Sequence, residues 1–239
     1  MVYVQCPRAQ CLPQPIAPYF VTAATLTIDL GALVANWRLL AEKCPSAECA
    51  AVVKADAYGL GVAAVAPALL AAGCTTFFVA TVDEAIALRA LLGPDPSIVH
   101  LHGPGRGEAA ALHQADIIPV LNSLEQIYEW TDFSRGFGAA LPCALHLDTG
   151  MNRLGLCAAD VGTLAREPER LTYADVRLVM SHLSTAEEAA NKVNRRQLVT
   201  FLQRTAAVPQ AARSLANSSG IFLGDAYHFD IARPGIAVY

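Results

Sequence analysis

Short apolar or β-branched runs alternate with Ala/Leu-rich stretches of helical spacing along nearly the whole chain, and this alternation leaves few folds open. The runs that read as strands are Thr25 to Leu30, Cys49 to Val53, Thr76 to Ala80, Ser97 to Leu101, Ile117 to Leu121, Cys143 to Leu147, Val176 to Met180 and Ser214 to Ala216. Between them, Leu33, Trp37, Leu40 and Ala41 share one helix face, and Val62 to Ala72 is a helix stopped by Gly73. Asp83 to Leu92 opens with acidic residues, which suit the positive end of a helix dipole. Further helices are expected over 107–114, from a cap at Asn122 or Ser123 to Thr131, near Ala158 to Arg166, and over Ala189 to Ala206. His228 to Ile231 and Ile236 to Tyr239 close the chain. Strands alternating with helices imply a parallel sheet. Seven or eight such units in 239 residues predict an α/β fold, a TIM-like (β/α)8 barrel over 23–239, incomplete at its C-terminal end. Residues 1–22 are expected to be a loosely ordered leader. An open doubly wound sheet is the competing arrangement, but the dinucleotide fingerprint G-x-G-x-x-G is absent.

Composition removes several function classes. Apolar residues make up 54% and charged residues 16%, enough for a substantial core. A net charge of -4 without a basic run argues against nucleic acid as a partner. No apolar run reaches the length of a bilayer, and Met1 to Phe20 lacks the continuous apolar stretch of a signal peptide. The seven cysteines are odd in number and include no C-x-x-C pair, so reduced thiols in a cytoplasmic protein are expected. Cys6 and Cys11 leave a disulfide or metal pair open; no other metal site is expected.

Reactive groups of a parallel barrel gather at the C-terminal ends of its strands. Five strand ends here deliver polar residues toward one mouth: Lys54 after Val53, Asp148 and Arg153 after Leu147, His182 after Met180, Asn217 and Ser218 after Ala216, and Arg233 after Ala232. A desolvated lysine at such a mouth can shed its proton and attack an aldehyde. Taken alone, Lys54 also fits a snorkelling strand-end lysine, and Arg233 a surface partner of Asp230. His182 alone equally fits a satisfied structural histidine, and Gly235 an ordinary turn after Pro234.

The motifs around these residues resemble one family in order along the chain. Val53-Lys54-Ala55-Asp56-Ala57-Tyr58-Gly59 is similar to the cofactor-lysine signature of alanine racemases. Asp148-Thr149-Gly150-Met151-Asn152-Arg153-Leu154-Gly155, Ser181-His182-Leu183-Ser184, Ala216-Asn217-Ser218 and Arg233-Pro234-Gly235-Ile236 resemble its later segments. The likeness runs from Thr25 to Tyr239. It implies pyridoxal 5'-phosphate held as a Schiff base on Lys54, which also acts as base for the D-isomer's proton. Tyr58 and Ser218 would hold the phosphate, together with the N–H groups of Gly235 and Ile236. Arg233 would face the pyridine nitrogen and His182 would bridge Arg233 to the second base. Arg153 would bind the cofactor's phenolic oxygen and the substrate carboxylate, and Asn217 would orient its neighbours. The implied activity is interconversion of L-alanine and D-alanine for peptidoglycan, by a cytoplasmic homodimer.

Two departures stand out. His146 lies where many members carry a lysine modified to a carbamate, an anion that positions the arginine; His146 cannot supply that anion, so a bound chloride or another carboxylate in its place, or a less firmly held Arg153, is expected. Members also continue into a mostly β-stranded domain supplying the opposite-face tyrosine, so this chain is expected to be a fragment that racemises poorly alone. Two other readings stay open: a single-domain carrier of pyridoxal phosphate without racemase activity, and a cofactor-free sugar-phosphate barrel.

Overall fold

The computed structural model describes residues 26–239; the expected leader, Cys6 and Cys11 lie outside them. Strand β1 consists of two halves, Glu48–Cys49 and Ala51–Val52. It is followed by β2 (Thr76–Val79), β3 (Ser97–His100), β4 (Ile118–Leu121), β5 (Leu141–His146), β6 (Ala174–Met180), β7 (Ala212–Ser214) and β8 (Ile231–Ala232). The second half of β1 and β2 to β7 pair in chain order as one parallel seven-stranded sheet. The first half of β1 pairs in parallel with β8. On its other side β8 is tied to the end of β7 by the Asn217–Arg233 bridge, with Arg233 N–H donating to Ala216 O at 2.9 Å. The ring of strands therefore closes, as the (β/α)8 reading expects. Within the described residues β8 is followed by a single 3-10 turn, Ile236–Val238, rather than by a helix.

Strand alternation sorts the apolar residues into two layers. Val52, Phe78, Val99, Val120, Ala144, Leu178 and Met180 point into the ring, where cross-strand neighbours such as Val52 and Phe78 meet. The other set, including Val53, Phe77, Val79, Ile98, Leu121 and Leu145, packs outward against the helices. Those helices are α1 (Leu30–Lys43), α2 (Val62–Ala71), α3 (Val82–Leu92), α4 (Ala109–Gln114), α5 (Leu124–Arg135), α6 (Ala158–Arg166) and α7 (Lys192–Thr205). None is long and apolar enough to cross a membrane. The five cysteines among the described residues form no disulfide.

Four expected boundaries move, each for a local reason. The strand expected over Thr25 to Leu30 is not formed: residues 26–29 are irregular, and Thr25 lies outside the description. The Asp29 side chain accepts from Ala32 N–H at 3.0 Å and so caps α1, while Leu26 is 75% exposed and has no core to face. Helix α5 runs past Thr131 to Arg135 because Thr131 and Ser134 return their hydroxyls to Ile127 O and Trp130 O, satisfying polar groups in a buried turn. Its cap is Ser123. Helix α7 begins after Asn191, whose side chain caps Val193 N–H. Strand β7 lies earlier than expected, at Ala212–Ser214, leaving Leu215 and Ala216 to lead into the site.

One arginine ties the lower face of the barrel together. Arg89 on α3 donates to the carbonyls of Gly93, Pro96, Ala115 and Asp116 at 2.7–3.1 Å. It thereby joins the segments that enter β3 and β4. Replacing it strands four carbonyls, so Arg89→Ala is expected to lower unfolding free energy by about 2–4 kcal/mol in urea titrations. Because Arg89 sits opposite the mouth, ligand binding by the folded fraction is expected to be unchanged.

Candidate active site

The C-terminal ends of the strands open into a cavity of about 590 Å³, within the range of small-molecule sites. It is lined by Lys54, Tyr58, Arg153, His182, Asn217, Ser218, Arg233, Gly235 and Ile236, and also by His146. Three cationic residues, Lys54, Arg153 and Arg233, share this wall; the carboxylate there is the exposed Glu187. Such a balance favours an anionic ligand.

Lys54 is placed by an unusual piece of backbone. Ala55, Asp56 and Ala57 have φ near +53° and ψ near +50°, and Tyr58 has φ of 55°, so the chain after Lys54 makes a left-handed turn. Each non-glycine residue in this conformation costs about 1–2 kcal/mol. The surrounding hydrogen bonds offset that strain. Ala57 N–H donates to Val53 O, and Gly61 N–H to Asp56 O. Asp56 Oδ1 accepts from Val62 N–H at 2.7 Å. Glu84 on α3 uses one carboxylate oxygen for Ala55 N–H at 2.7 Å and the other for Ala80 N–H at 2.7 Å, linking the ends of β1 and β2. Nothing in the sequence signalled Glu84, because its target is a backbone amide reached only in the folded barrel. The turn brings Lys54 and Tyr58 to the same cavity, and Lys54 has no ion-pair partner among the described residues.

Arg233 is buried, 4% exposed, and has no carboxylate partner among the described residues. Asp230 lies beside Arg213 instead, at 3.9 Å, so the surface-pair reading of Arg233 is corrected. The Arg233 guanidinium donates to Ser214 Oγ and to Ser181 O, and lies over the Phe78 ring at 6.0 Å. Burial lowers its pKa to about 9, which leaves it charged at neutral pH.

His182 is held by its neighbours. The Asn217 amide nitrogen lies 3.4 Å from His182 Nε2 and donates to Leu183 O, while its oxygen accepts from Gly220 N–H at 2.9 Å. Burial and the charges of Arg233 and Arg153 lower the His182 pKa to about 3. Among the described residues no hydrogen bond joins His182 to Arg233, as the expected bridge would; Ser214 and Ser181 take the guanidinium instead. Behind the histidine, buried Gln197 of α7 donates to His182 O and Thr149 Oγ1 and accepts from Ser184 N–H. Sequence reading missed Gln197, whose one signal is a polar residue on the inner face of an amphipathic helix.

The last loop forms a compact cradle. Ser218 Oγ accepts from Gly235 N–H at 2.9 Å and from Ala237 N–H at 3.2 Å. A Cβ on Gly235 would fall 2.2 Å from Tyr58 Oη, so only glycine lets the tyrosine hydroxyl approach this backbone. Tyr239 stacks on Tyr58 at 4.8 Å and donates its hydroxyl to Val52 O.

Residues 28–239 match the family described as alanine racemase, N-terminal domain. The chain belongs to that family. It is 47% identical over 214 residues to an alanine racemase of Brucella abortus (strain 2308), covering 90% of this chain and 54% of the relative. It is 50% identical over 216 residues to one from Methylobacterium nodulans, covering 90% and 58%. The chain thus spans little more than half the length of these curated relatives. Among solved structures, alanine racemase from Bartonella henselae with covalently bound pyridoxal phosphate superposes with a TM-score of 0.86. That match is at 42% identity and covers 89% of this chain and 62% of the other. Family membership accounts for the parallel barrel.

Two measurements probe the site. Ala55 is exposed and left-handed, so Ala55→Gly is expected to raise stability by roughly 0.5–1 kcal/mol and Ala55→Val to lower it by about 2 kcal/mol, both read from urea midpoints. His100, His146 and His182 have pKa values of about 4, 4 and 3 when folded, against an ordinary value near 6.5. Below pH ~6.5 the unfolded chain takes up protons that the folded chain refuses. The urea midpoint is therefore expected to fall steadily from pH 6.5 to about 4, with this histidine contribution flat above 6.5.

Proposed function

We propose that the chain is the cofactor-binding barrel of a pyridoxal-phosphate-dependent enzyme that interconverts L-alanine and D-alanine. The single observation that carries this reading is the Lys54 amine, delivered without an ion-pair partner into a cavity that also holds a buried, carboxylate-free Arg233. The residues fit the cofactor. A phosphate suits the cradle of Tyr58, Ser218 and the Gly235–Ile236 backbone, where glycine is required by close approach. Arg233 suits the ring nitrogen and Arg153 an anionic oxygen of cofactor or substrate. When bound, the cofactor supplies an electron sink that acidifies the amino acid's Cα–H.

The protein groups then divide the remaining work. Lys54 Nζ would hold the cofactor, and the same amine would take or return the amino acid's Cα proton on one face. Arg233 is fixed by Ser214 and Ser181 and stays charged at neutral pH, so it offers only donors to whatever it faces. A ring nitrogen facing it would receive no proton from Arg233, which would suit racemisation over transamination. His182 is neutral at working pH and, held by Asn217 near the Arg233 charge, does not serve as an acid. Tyr239 is not the base for the opposite face, because its hydroxyl is committed to Val52 O. In this reading that base comes from a second domain of a partner subunit, in a cytoplasmic homodimer whose product feeds peptidoglycan.

Borohydride reduction in the presence of pyridoxal phosphate, followed by peptide mapping, tests the assignment. Label is expected on the peptide containing Lys54, and Lys54→Ala is expected to abolish it. Label elsewhere, or none, overturns the proposal. Protein that carries the label yet cannot interconvert alanine enantiomers when joined to a full second domain would support the carrier reading.

A further inference from the structure

Glu84 has one oxygen more than its helix needs. It is the third residue of α3 and forms a capping box with Thr81. Thr81 Oγ1 accepts from Glu84 N–H at 3.3 Å, and Glu84 Oε2 accepts from Thr81 N–H at 3.2 Å. The same Oε2 takes Ala80 N–H at 2.7 Å. The cap is complete at that point. Oε1 is left over, and it reaches a strand end 29 residues away in the chain, where it accepts from Ala55 N–H at 2.7 Å.

That N–H belongs to the peptide unit joining Lys54 to Ala55. A peptide unit is planar, so holding its N–H also holds the Lys54 carbonyl and the backbone torsion beside which the lysine side chain leaves. No other group among the described residues accepts from Ala55 N–H. The rest of the turn is tied from within or from behind. Ala57 N–H donates to Val53 O, Gly59 N–H to Ala55 O, and the N–H groups of Gly61 and Val62 to Asp56. Glu84 holds the entry of the turn from a different element. The entry is also where the backbone becomes left-handed, at Ala55 with φ of 52°, a conformation that alanine disfavours.

The choice of a carboxylate follows. It only accepts, so both oxygens of Glu84 can serve N–H groups, whereas a carboxamide would set its NH2 against one of them. The carboxylates of Glu84 and Asp56 are both spent on backbone N–H groups, and neither is ion-paired with Lys54 among the described residues. The turn is thereby anchored while the amine stays free for the cavity that it lines.

We propose that Glu84 is a positioning residue for Lys54: by holding Ala55 N–H it fixes the peptide after the lysine and so aims the amine into the cavity. The cap on α3 is a separate duty, carried by the other oxygen. That the amine's target is the aldehyde of pyridoxal phosphate rests on the function proposed above; the hold on Ala55 does not.

Amide exchange of the full chain without cofactor tests the hold. Ala55 is exposed, so its N–H exchanges slowly only while Glu84 retains it. Slow exchange is expected in the unaltered protein, and exchange about tenfold faster in Glu84→Gln. The aim is tested by the rate at which pyridoxal phosphate and borohydride label Lys54, expected to fall about tenfold in Glu84→Gln. Thr81→Ala weakens the cap and spares Oε1; it is expected to lower the urea midpoint and leave the labelling rate unchanged. Adding Ala55→Gly to Glu84→Gln relieves the left-handed residue and is expected to restore most of the lost rate. Fast exchange at Ala55 in the unaltered protein overturns the proposal, and this outcome is readable even where Glu84→Gln does not fold. An undiminished labelling rate in Glu84→Gln, an equal loss in Thr81→Ala, or no recovery with Ala55→Gly overturns it as well. An unaltered protein that takes no label would sink the function proposed above, while exchange at Ala55 would still decide the hold.

Discussion

The site depends on one ladder of backbone hydrogen bonds. Glu48, Ala50 and Val52 donate to Asp230, Ala232 and Pro234 at 2.9–3.0 Å, joining the two ends of the described chain. This pairing closes the ring of strands and sets Lys54, just past one strand, across from Gly235, just past the other. The contact between Tyr58 Oη and the Gly235 backbone follows from it. So does the stack of Tyr58 on Tyr239, whose hydroxyl returns to β1. A loss of register here would move Lys54, Tyr58, Gly235 and Arg233 together, because all four follow the same two strands.

The mouth is built to hold positive charge without neutralising it. Arg233 is buried among a serine hydroxyl, a carbonyl and an aromatic face rather than beside a carboxylate. Burying a cation this way is unfavourable unless its donors are satisfied, and two of them are. Burial, with the same field adding to it, keeps His146 and His182 neutral. Asparagines then set how the two rings bond: Asn122 faces the Nδ1 of His146, and Asn217 the Nε2 of His182. The wall thus combines strong cations with imidazoles of defined polarity, a suitable setting for a doubly anionic ligand.

Much of this was legible in the residue order, and the reasons differ by element. The helices α2, α3 and α6 emerge from apolar spacing and from caps that act within a few residues. The strand ends that carry Lys54, His182 and Arg233 were readable because apolar runs stop abruptly at a polar residue. The Thr25 to Leu30 run misled because a β-branched pattern says nothing about whether a core lies opposite it. Glu84, Gln197 and Asn122 escaped notice because each acts on a backbone group or ring far away in sequence.

The sequence by itself determined the parallel barrel, its strand ends and the family-like residues gathered there, since these follow from local periodicity and from motifs a few residues long. Only the tertiary structure decided that Lys54 enters on a left-handed turn held by Glu84, that Arg233 has no carboxylate partner among the described residues, and that Asn122 chooses the proton position on His146. Those outcomes depend on orientation and desolvation among groups brought together by ring closure, and neither quantity exists until the chain has folded.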